Sequence, residues 1–104
     1  MKLGSVLVTR ESIMDFARVW DAQPFHLSDE AAAASPLKKL SASGWQTLAL
    51  IAELLEKNGT PFTGAQSVKW VRPLFPDMEH VALLEDASVK LNDPQGNLVC
   101  EVVL

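Results

Sequence analysis

The spacing of apolar residues changes along the chain, from a helical period in the first half to strand-like runs in the second. Residues 3–8 are apolar and β-branched, which predicts a short strand. Thr9 is placed to cap a helix whose apolar residues share one buried stripe: Ile13, Phe16, Ala17 and Trp20. This helix should end near Trp20 or Asp21, because Pro24 disfavours helical geometry at the residue before it and has no N–H to donate.

Two more helices are expected before residue 60. Ser28 can cap a short one that has two acidic residues in its first turn and ends at Ser35-Pro36. The longer one begins at Ser43 and ends at Asn58-Gly59. It is apolar on nearly every side except for one narrow polar line: Gln46, Glu53 and Lys57. A helix of this composition should be covered on most of its circumference.

The second half reads as four strands: Gln66 to Arg72, Val81 to Glu85, Ala87 to Asn92 and Leu98 to Leu104. The last two are joined by Asp93-Pro94-Gln95-Gly96, which has Pro and Gly where a type I turn favours them. Helices followed by antiparallel strands predict an α+β fold in which the sheet curls around the central helix. With 104 residues and 48% apolar content, residues 1–104 should form one domain with one modest core.

Composition narrows the classes of partner and the compartment. A net charge of −4 argues against nucleic acid or an anionic membrane as the main partner, since either would favour clustered Lys and Arg. No apolar run is long enough to cross a bilayer or to act as a signal peptide, and the single Cys100 cannot form an internal disulfide. We therefore expect a cytoplasmic protein, and no spacing of His, Cys or carboxylates suggests a metal site.

The stretch WDAQPFHLSDE places Asp21 and His26 five residues apart with Pro24 between them, and Gly44 opens the long helix further on. These residues resemble the MaoC-like dehydratases and (R)-specific enoyl-CoA hydratases. Their motif is Asp, any residue, Asn, Pro, an aliphatic residue and His, then an acidic, alanine-rich helix and a Gly that opens the central helix. The resemblance implies the hot-dog fold, an antiparallel sheet wrapped around a central helix.

The resemblance continues loosely after Gly59, where Trp70, Arg72-Pro73 and Pro76-Asp77 are similar to a strand and turn of the family. Two departures stand out. Gln23 occupies the position of the family's Asn, and no Gly separates Pro76 from Asp77. The predicted strands after Met78 are also shorter than the family's long hairpin. A shortened sheet gives less wall for an acyl chain, so we expect a small acyl substrate.

The implied reaction is the syn addition or removal of water at the double bond of an enoyl thioester, which is hydro-lyase chemistry. It needs a base, an acid and a group that holds negative charge on the thioester oxygen. The resemblance gives Asp21 and His26 the first two tasks, with either as the base. The N–H of Gly44 would form the oxyanion hole, since a helix amino terminus offers unpaired N–H groups and partial positive charge.

The resemblance also implies an acyl group carried by coenzyme A or an acyl carrier protein, no further cofactor, and a homodimer. Candidate substrate-binding residues are Gln23, Trp45, Lys38, Lys39 and Arg72. The three tryptophans, Trp20, Trp45 and Trp70, are candidates for the core or the dimer interface, and Cys100 for an inert buried position. Two alternatives to a hydratase stay open: a non-catalytic hot-dog module that binds an acyl or aromatic ligand, and a thioesterase.

Overall fold

A computed structural model describes residues 1–104. Nine elements follow one another along the chain: β1 (Lys2–Val6), α1 (Arg10–Trp20), α2 (Pro24–Leu27), α3 (Asp29–Ala33), α4 (Gly44–Lys57), β2 (Ser67–Trp70), β3 (His80–Glu85), β4 (Ser88–Asn92) and β5 (Leu98–Val103). The predicted α+β class and all five predicted strands are confirmed, with boundaries that shift by a few residues. None of the helices combines the length and apolar character needed to span a membrane.

The five strands form one sheet in the order β1-β3-β4-β5-β2, and every neighbouring pair is antiparallel. The β4–β5 turn predicted from Pro94 and Gly96 is confirmed. The N–H of Gly96 donates to the carbonyl of Asp93 at 2.9 Å, and the Asp93 carboxylate accepts two further backbone N–H groups. Gly96 has φ +84°, a left-handed conformation that glycine adopts without a steric penalty. Strand β2 lies at one edge of the sheet, with one side of its backbone unpaired.

The core lies between α4 and the sheet. Ile51 and Leu55 of α4 are fully buried in one apolar cluster with the inward residues of the strands: Val89, Leu91, Val99 and Val102. Burying one side chain of this size stabilises the fold by about 1.5–3 kcal/mol. Gly4 brings β1 close to the helix, since a Cβ at that position would lie 3.0 Å from Leu54 Cδ2.

The expectation that α4 is covered on most sides is confirmed. Its exposed residues lie along one stripe that includes four residues spaced four apart: Trp45, Ala49, Glu53 and Lys57. Gln46, predicted on the polar line, is instead 5% exposed. Its amide Nε2 donates to the Ser12 hydroxyl at 3.1 Å, so α1 covers that side of α4.

The helix starts follow the predicted caps. The N–H of Ser12 donates to Thr9 Oγ1 at 3.0 Å, and the N–H of Ala31 donates to Ser28 Oγ at 3.0 Å. The prediction of a buried Trp20 is wrong. It is the last residue of α1, is 70% exposed, and contacts the Phe16 ring one turn earlier at a centroid distance of 6.4 Å.

The expected loop between Asp21 and His26 contains a single helical turn, α2. Pro24 occupies its first position, where a missing N–H costs no hydrogen bond and the fixed φ suits a helix. This turn directs the His26 side chain inward, where the residue is 6% exposed.

Candidate active site

His26 has a defined tautomer. Its Nδ1 lies 2.7 Å from the carbonyl oxygen of Ser41, in the segment that leads into α4. Because a carbonyl oxygen only accepts hydrogen bonds, Nδ1 carries a proton, and Nε2 is the nitrogen left to exchange protons. The hydrogen bond to the Ser41 carbonyl therefore orients the imidazole ring, and Nε2 points toward Asp21.

Asp21 ends α1 and lies beside this imidazole. Its Oδ2 is 3.7 Å from His26 Nε2, and its side chain is 21% exposed against 8% for the histidine. The same Oδ2 accepts a hydrogen bond of 2.7 Å from Ser43 Oγ. The structure thus brings together the two residues that the sequence singled out, and adds a third.

Ser43 was recognised from the sequence only as a helix cap. Its hydroxyl accepts the N–H of Trp45 at 3.2 Å, which caps α4, and donates its own hydrogen to Asp21. The residue is fully buried. Ser41 was missed altogether. The cap position just before Gly44 was a usable signal for Ser43, whereas a contact across 22 residues could not be read from local spacing.

Gly44 is the first residue of α4, and no hydrogen bond within the chain engages its N–H. The structure shows why residue 44 is a glycine, for a reason that the sequence did not reveal. A Cβ at residue 44 would lie 2.9 Å from Cε2 of Trp70, whose indole packs on the glycine. Trp70 Nε1 also donates to the Gly44 carbonyl at 3.0 Å. The space left by the missing side chain is therefore filled by Trp70, and the N–H stays free.

A cavity of about 260 Å³ opens beside this group, and we call it the dyad cavity. Its wall includes His26, Gly44, Trp70 and Arg72. Asp21 does not line it and lies behind His26 and Ser43. Arg72 donates from Nη1 to the carbonyl of Leu98 at 2.7 Å, which fixes its guanidinium at the cavity wall.

The other candidate residues lie elsewhere. Lys38 and Lys39 line a separate cavity of about 410 Å³, which we call the lysine cavity. Gln23 is exposed, and its side chain makes no hydrogen bond. Trp45 is 59% exposed and packs edge-on against Trp70, with 5.9 Å between ring centroids. None of the three tryptophans is in the core of the chain.

Cys100 lies on β5 and is fully buried in the apolar core. Burial, together with the negative charge of Glu101, raises the pKa of its thiol to about 11. The predicted buried position is confirmed, and the thiol stays protonated near neutral pH. No group of three or more His, Cys, Asp or Glu side chains is arranged to hold a metal ion.

A family model for the MaoC-like domain matches residues 3–99, nearly the whole chain. The chain belongs to the MaoC-like domain family. The uncharacterized protein YdeM of Bacillus subtilis is a relative of this MaoC-like chain, 30% identical over an alignment that covers 88% of this chain and 71% of YdeM. The family resemblance seen in the sequence is thereby confirmed.

Solved structures show the fold of this MaoC-like chain. The MaoC-like dehydratase from Rhodospirillum rubrum matches it with a TM-score of 0.79 and 26% identity, over 96% of this chain and 83% of that one. The (R)-hydratase from A. caviae involved in PHA biosynthesis gives a TM-score of 0.77 at 22% identity, over 96% of this chain and 89% of that one. The hot-dog fold is confirmed.

Proposed function

We propose that this MaoC-like chain is a hydratase or dehydratase that adds water to, or removes it from, the double bond of a small enoyl thioester. The observation that carries the proposal is the pairing of Asp21 Oδ2 and His26 Nε2, 3.7 Å apart beside a cavity that also holds the free N–H of Gly44. The family match and two similar structures named for dehydratase and hydratase activity support it.

The acid–base pair acts on one water. With Nδ1 donating to the Ser41 carbonyl, His26 offers Nε2 to a water in the dyad cavity. The Asp21 carboxylate lies behind it, 3.7 Å from Nε2, and stabilises the positive charge that the ring gains when it takes a proton. The water oxygen bonds to the β-carbon, and one of its protons passes to the pair. A proton from the pair goes to the α-carbon, so the pair ends with the protons it began with. Both additions come from one side of the double bond, which is syn chemistry.

Gly44 stabilises the charge that develops on the thioester oxygen. Its free N–H lies at the amino terminus of a 14-residue helix, where the backbone carries partial positive charge. One donor of this kind contributes about 2.7–4 kcal/mol to transition-state stabilisation. Ala or any other non-proline residue keeps an N–H there, so the contribution depends on the position of the backbone.

The substrate is a short acyl group on coenzyme A or an acyl carrier protein, with no further cofactor. At about 30 Å³ for a water-sized group, the dyad cavity of 260 Å³ holds roughly nine such groups. A four-carbon acyl thioester fits this volume, whereas a long chain does not.

A homodimer belongs to the same proposal. Strand β2 has an unpaired edge, and Trp70 and Val71 at its end are 47% and 42% exposed. Trp45 adds an exposed indole beside them. Light scattering after gel filtration should give twice the mass of the chain, and Val71→Asp should shift it to the monomer. A wild-type monomer at micromolar concentration would contradict the dimer.

The direct test is hydration of crotonyl-coenzyme A by wild type, Asp21→Asn and His26→Ala. Acid–base groups contribute about 10²–10⁴-fold, so each variant should lose at least about a hundredfold in kcat/KM. Asp15→Asn is the matched control, because Asp15 is an exposed α1 carboxylate paired with Arg18. Circular dichroism checks that each variant is folded. Equal turnover in all four proteins would refute the acid–base pair.

A second candidate is a non-catalytic hot-dog module that binds an acyl or aromatic ligand. The observation that favours it is Trp70, whose indole already lies against Gly44. Wild-type protein that turns over no short enoyl thioester, yet binds one in calorimetry, would establish this alternative over the hydratase. Release of free thiol from the same substrate would instead indicate a thioesterase.

A further inference from the structure

Both members of the acid–base pair are held from one short segment, residues 41–43. The carbonyl of Ser41 accepts the hydrogen bond from His26 Nδ1 at 2.7 Å. Two residues further along the chain, the Ser43 hydroxyl donates to Asp21 Oδ2, also at 2.7 Å. Ser41 and Ser43 are 1% and 0% exposed, so both residues are shielded from water. The separation of the carboxylate from the imidazole therefore depends on this segment.

The direction of the Ser43 hydroxyl hydrogen follows from its neighbours. The N–H of Trp45 lies 3.2 Å from Ser43 Oγ and can only donate, so the hydroxyl oxygen accepts there. The hydroxyl hydrogen is left for Asp21 Oδ2, and a hydrogen bond to an ionised carboxylate is one of the stronger kinds. The same Oδ2 lies 3.7 Å from His26 Nε2. Ser43 therefore holds the carboxylate oxygen that faces the imidazole.

The position of Asp21 in the chain explains why its carboxylate needs a donor from elsewhere. Asp21 is the C-cap residue of α1, where the backbone carbonyls carry partial negative charge that disfavours a carboxylate. Gln23, only two residues away, is exposed and makes no side-chain hydrogen bond. Ser43 is the N-cap residue of α4, whose first turn carries partial positive charge and no acidic residue of its own. The Ser43 hydroxyl therefore connects the carboxylate to a helix end that favours negative charge.

We propose that Ser43 is a positioning residue of the reaction, which acts by holding the Asp21 carboxylate beside the His26 ring. This rests on the proposed function, because the carboxylate is the group that stabilises the ring when it takes a proton. Ser43 does not line the dyad cavity, so it acts through Asp21 and not on the substrate. Loss of its hydroxyl should therefore lower kcat and leave KM unchanged. The expected fall is at least about tenfold, the effect of one hydrogen bond to a charged group.

The first test separates the bond to Asp21 from the role of Ser43 as a helix cap. Ser43→Gly keeps most of the capping preference and Ser43→Ala loses it, whereas both remove the hydroxyl. With crotonyl-coenzyme A, both variants should lose the same factor in kcat, although Ser43→Ala is the less stable in urea. Thr9→Gly removes the capping hydroxyl of α1 and is the matched control, with kcat unchanged. Unchanged kcat in both Ser43 variants, or a fall that follows stability, would overturn the positioning role and leave the hydratase standing.

The second test is a double-mutant cycle with Asp21. In the Asp21→Asn background the carboxylate is already absent, so Ser43→Gly should lower kcat no further. An equal fall in both backgrounds would show that residue 43 acts through the start of α4, and this result would overturn the proposal.

The third test requires no turnover, so it keeps this proposal distinct from the hydratase. Proton NMR near neutral pH follows the ring signal of His26, which is identified by its loss in His26→Ala. In Ser43→Gly this signal should move toward its position in Asp21→Asn, and in Thr9→Gly it should stay in place. A signal that does not respond to Ser43→Gly would overturn the proposal. If wild type turns over no enoyl thioester while the signal follows Ser43→Gly, the hydratase is refuted and the positioning contact is retained.

Discussion

Gly44→Ala tests the close packing between the start of α4 and the edge strand β2. The new methyl would lie 2.9 Å from Cε2 and 3.0 Å from Nε1 of Trp70, well inside the roughly 3.5–4.0 Å at which carbon atoms attract one another. Trp70 is 47% exposed, so its indole can swing outward more easily than a helix can shift. The substitution should therefore displace the indole.

The cost follows from the contacts that the indole loses. The Trp70 Nε1 hydrogen bond to the Gly44 carbonyl stabilises by about 0.5–1.5 kcal/mol, and the edge-on packing against Trp45 by a similar amount. Alanine regains at most about 1 kcal/mol through its higher helix propensity. We expect Gly44→Ala to lower the free energy of unfolding by about 1 kcal/mol, and by about 2 kcal/mol at most.

A double-mutant cycle isolates this effect. Urea unfolding of wild type, Gly44→Ala, Trp70→Leu and the double variant is followed by circular dichroism, because Trp70 itself contributes to the fluorescence. In the Trp70→Leu background Gly44→Ala should be neutral or slightly stabilising, which gives a coupling energy of at least about 1 kcal/mol. If Gly44→Ala lowered the free energy of unfolding equally in both backgrounds, the role of Trp70 would be refuted. Glycine would then be required at residue 44 for its backbone conformation.

Three further substitutions or reactions test separate contacts. Ser43→Ala should lower the free energy of unfolding by about 2 kcal/mol, since it removes both a helix cap and the hydroxyl donor of Asp21; a urea titration showing no change would contradict this. The hydrogen bond from Arg10 lowers the pKa of Asp29, so its stabilising effect is present above pH 4 and is lost as the pH falls through the lowered folded value. The stability difference between wild type and Arg10→Gln should therefore shrink from pH 5 to pH 2, and a constant difference would count against the pair. Cys100, with its pKa raised to about 11, should react with a disulfide reagent at pH 8 only on unfolding, and fast labelling of folded protein would show that it is accessible.

Local signals in the sequence predicted much of this fold. The caps at Thr9, Ser28 and Ser43 are made by side-chain oxygens that act within three residues, so short patterns reveal them. The strand boundaries and the turn at Gly96 are equally local. The burial of a helix face is not a local property, because it depends on how many other elements pack across that face. Trp20 has the correct spacing for a buried stripe, yet no element covers the end of α1.

The candidate site was predictable only as far as its residue types. Asp21 and His26 were found because they lie close together in the chain, and the single turn of α2 brings them to the 3.7 Å pairing. Lys38 and Lys39 were grouped with them by charge. The chain has a left-handed residue at position 38, and both lysines line the lysine cavity, which His26 does not line. The conformation of that single residue is not encoded in charge or hydrophobic spacing.

The buried hydroxyl of Ser43 limits which mutations this chain can accept. Its one hydrogen is given to Asp21 and its lone pairs serve Trp45, so neither contact can be changed alone. In a library randomised at residue 43, selection for folding alone should retain the good capping residues, Ser, Thr, Asp and Asn. Selection for turnover should reject Asp, because a second carboxylate beside Asp21 repels it. Sequencing both pools would show whether folding and turnover depend on the same hydroxyl oxygen of Ser43.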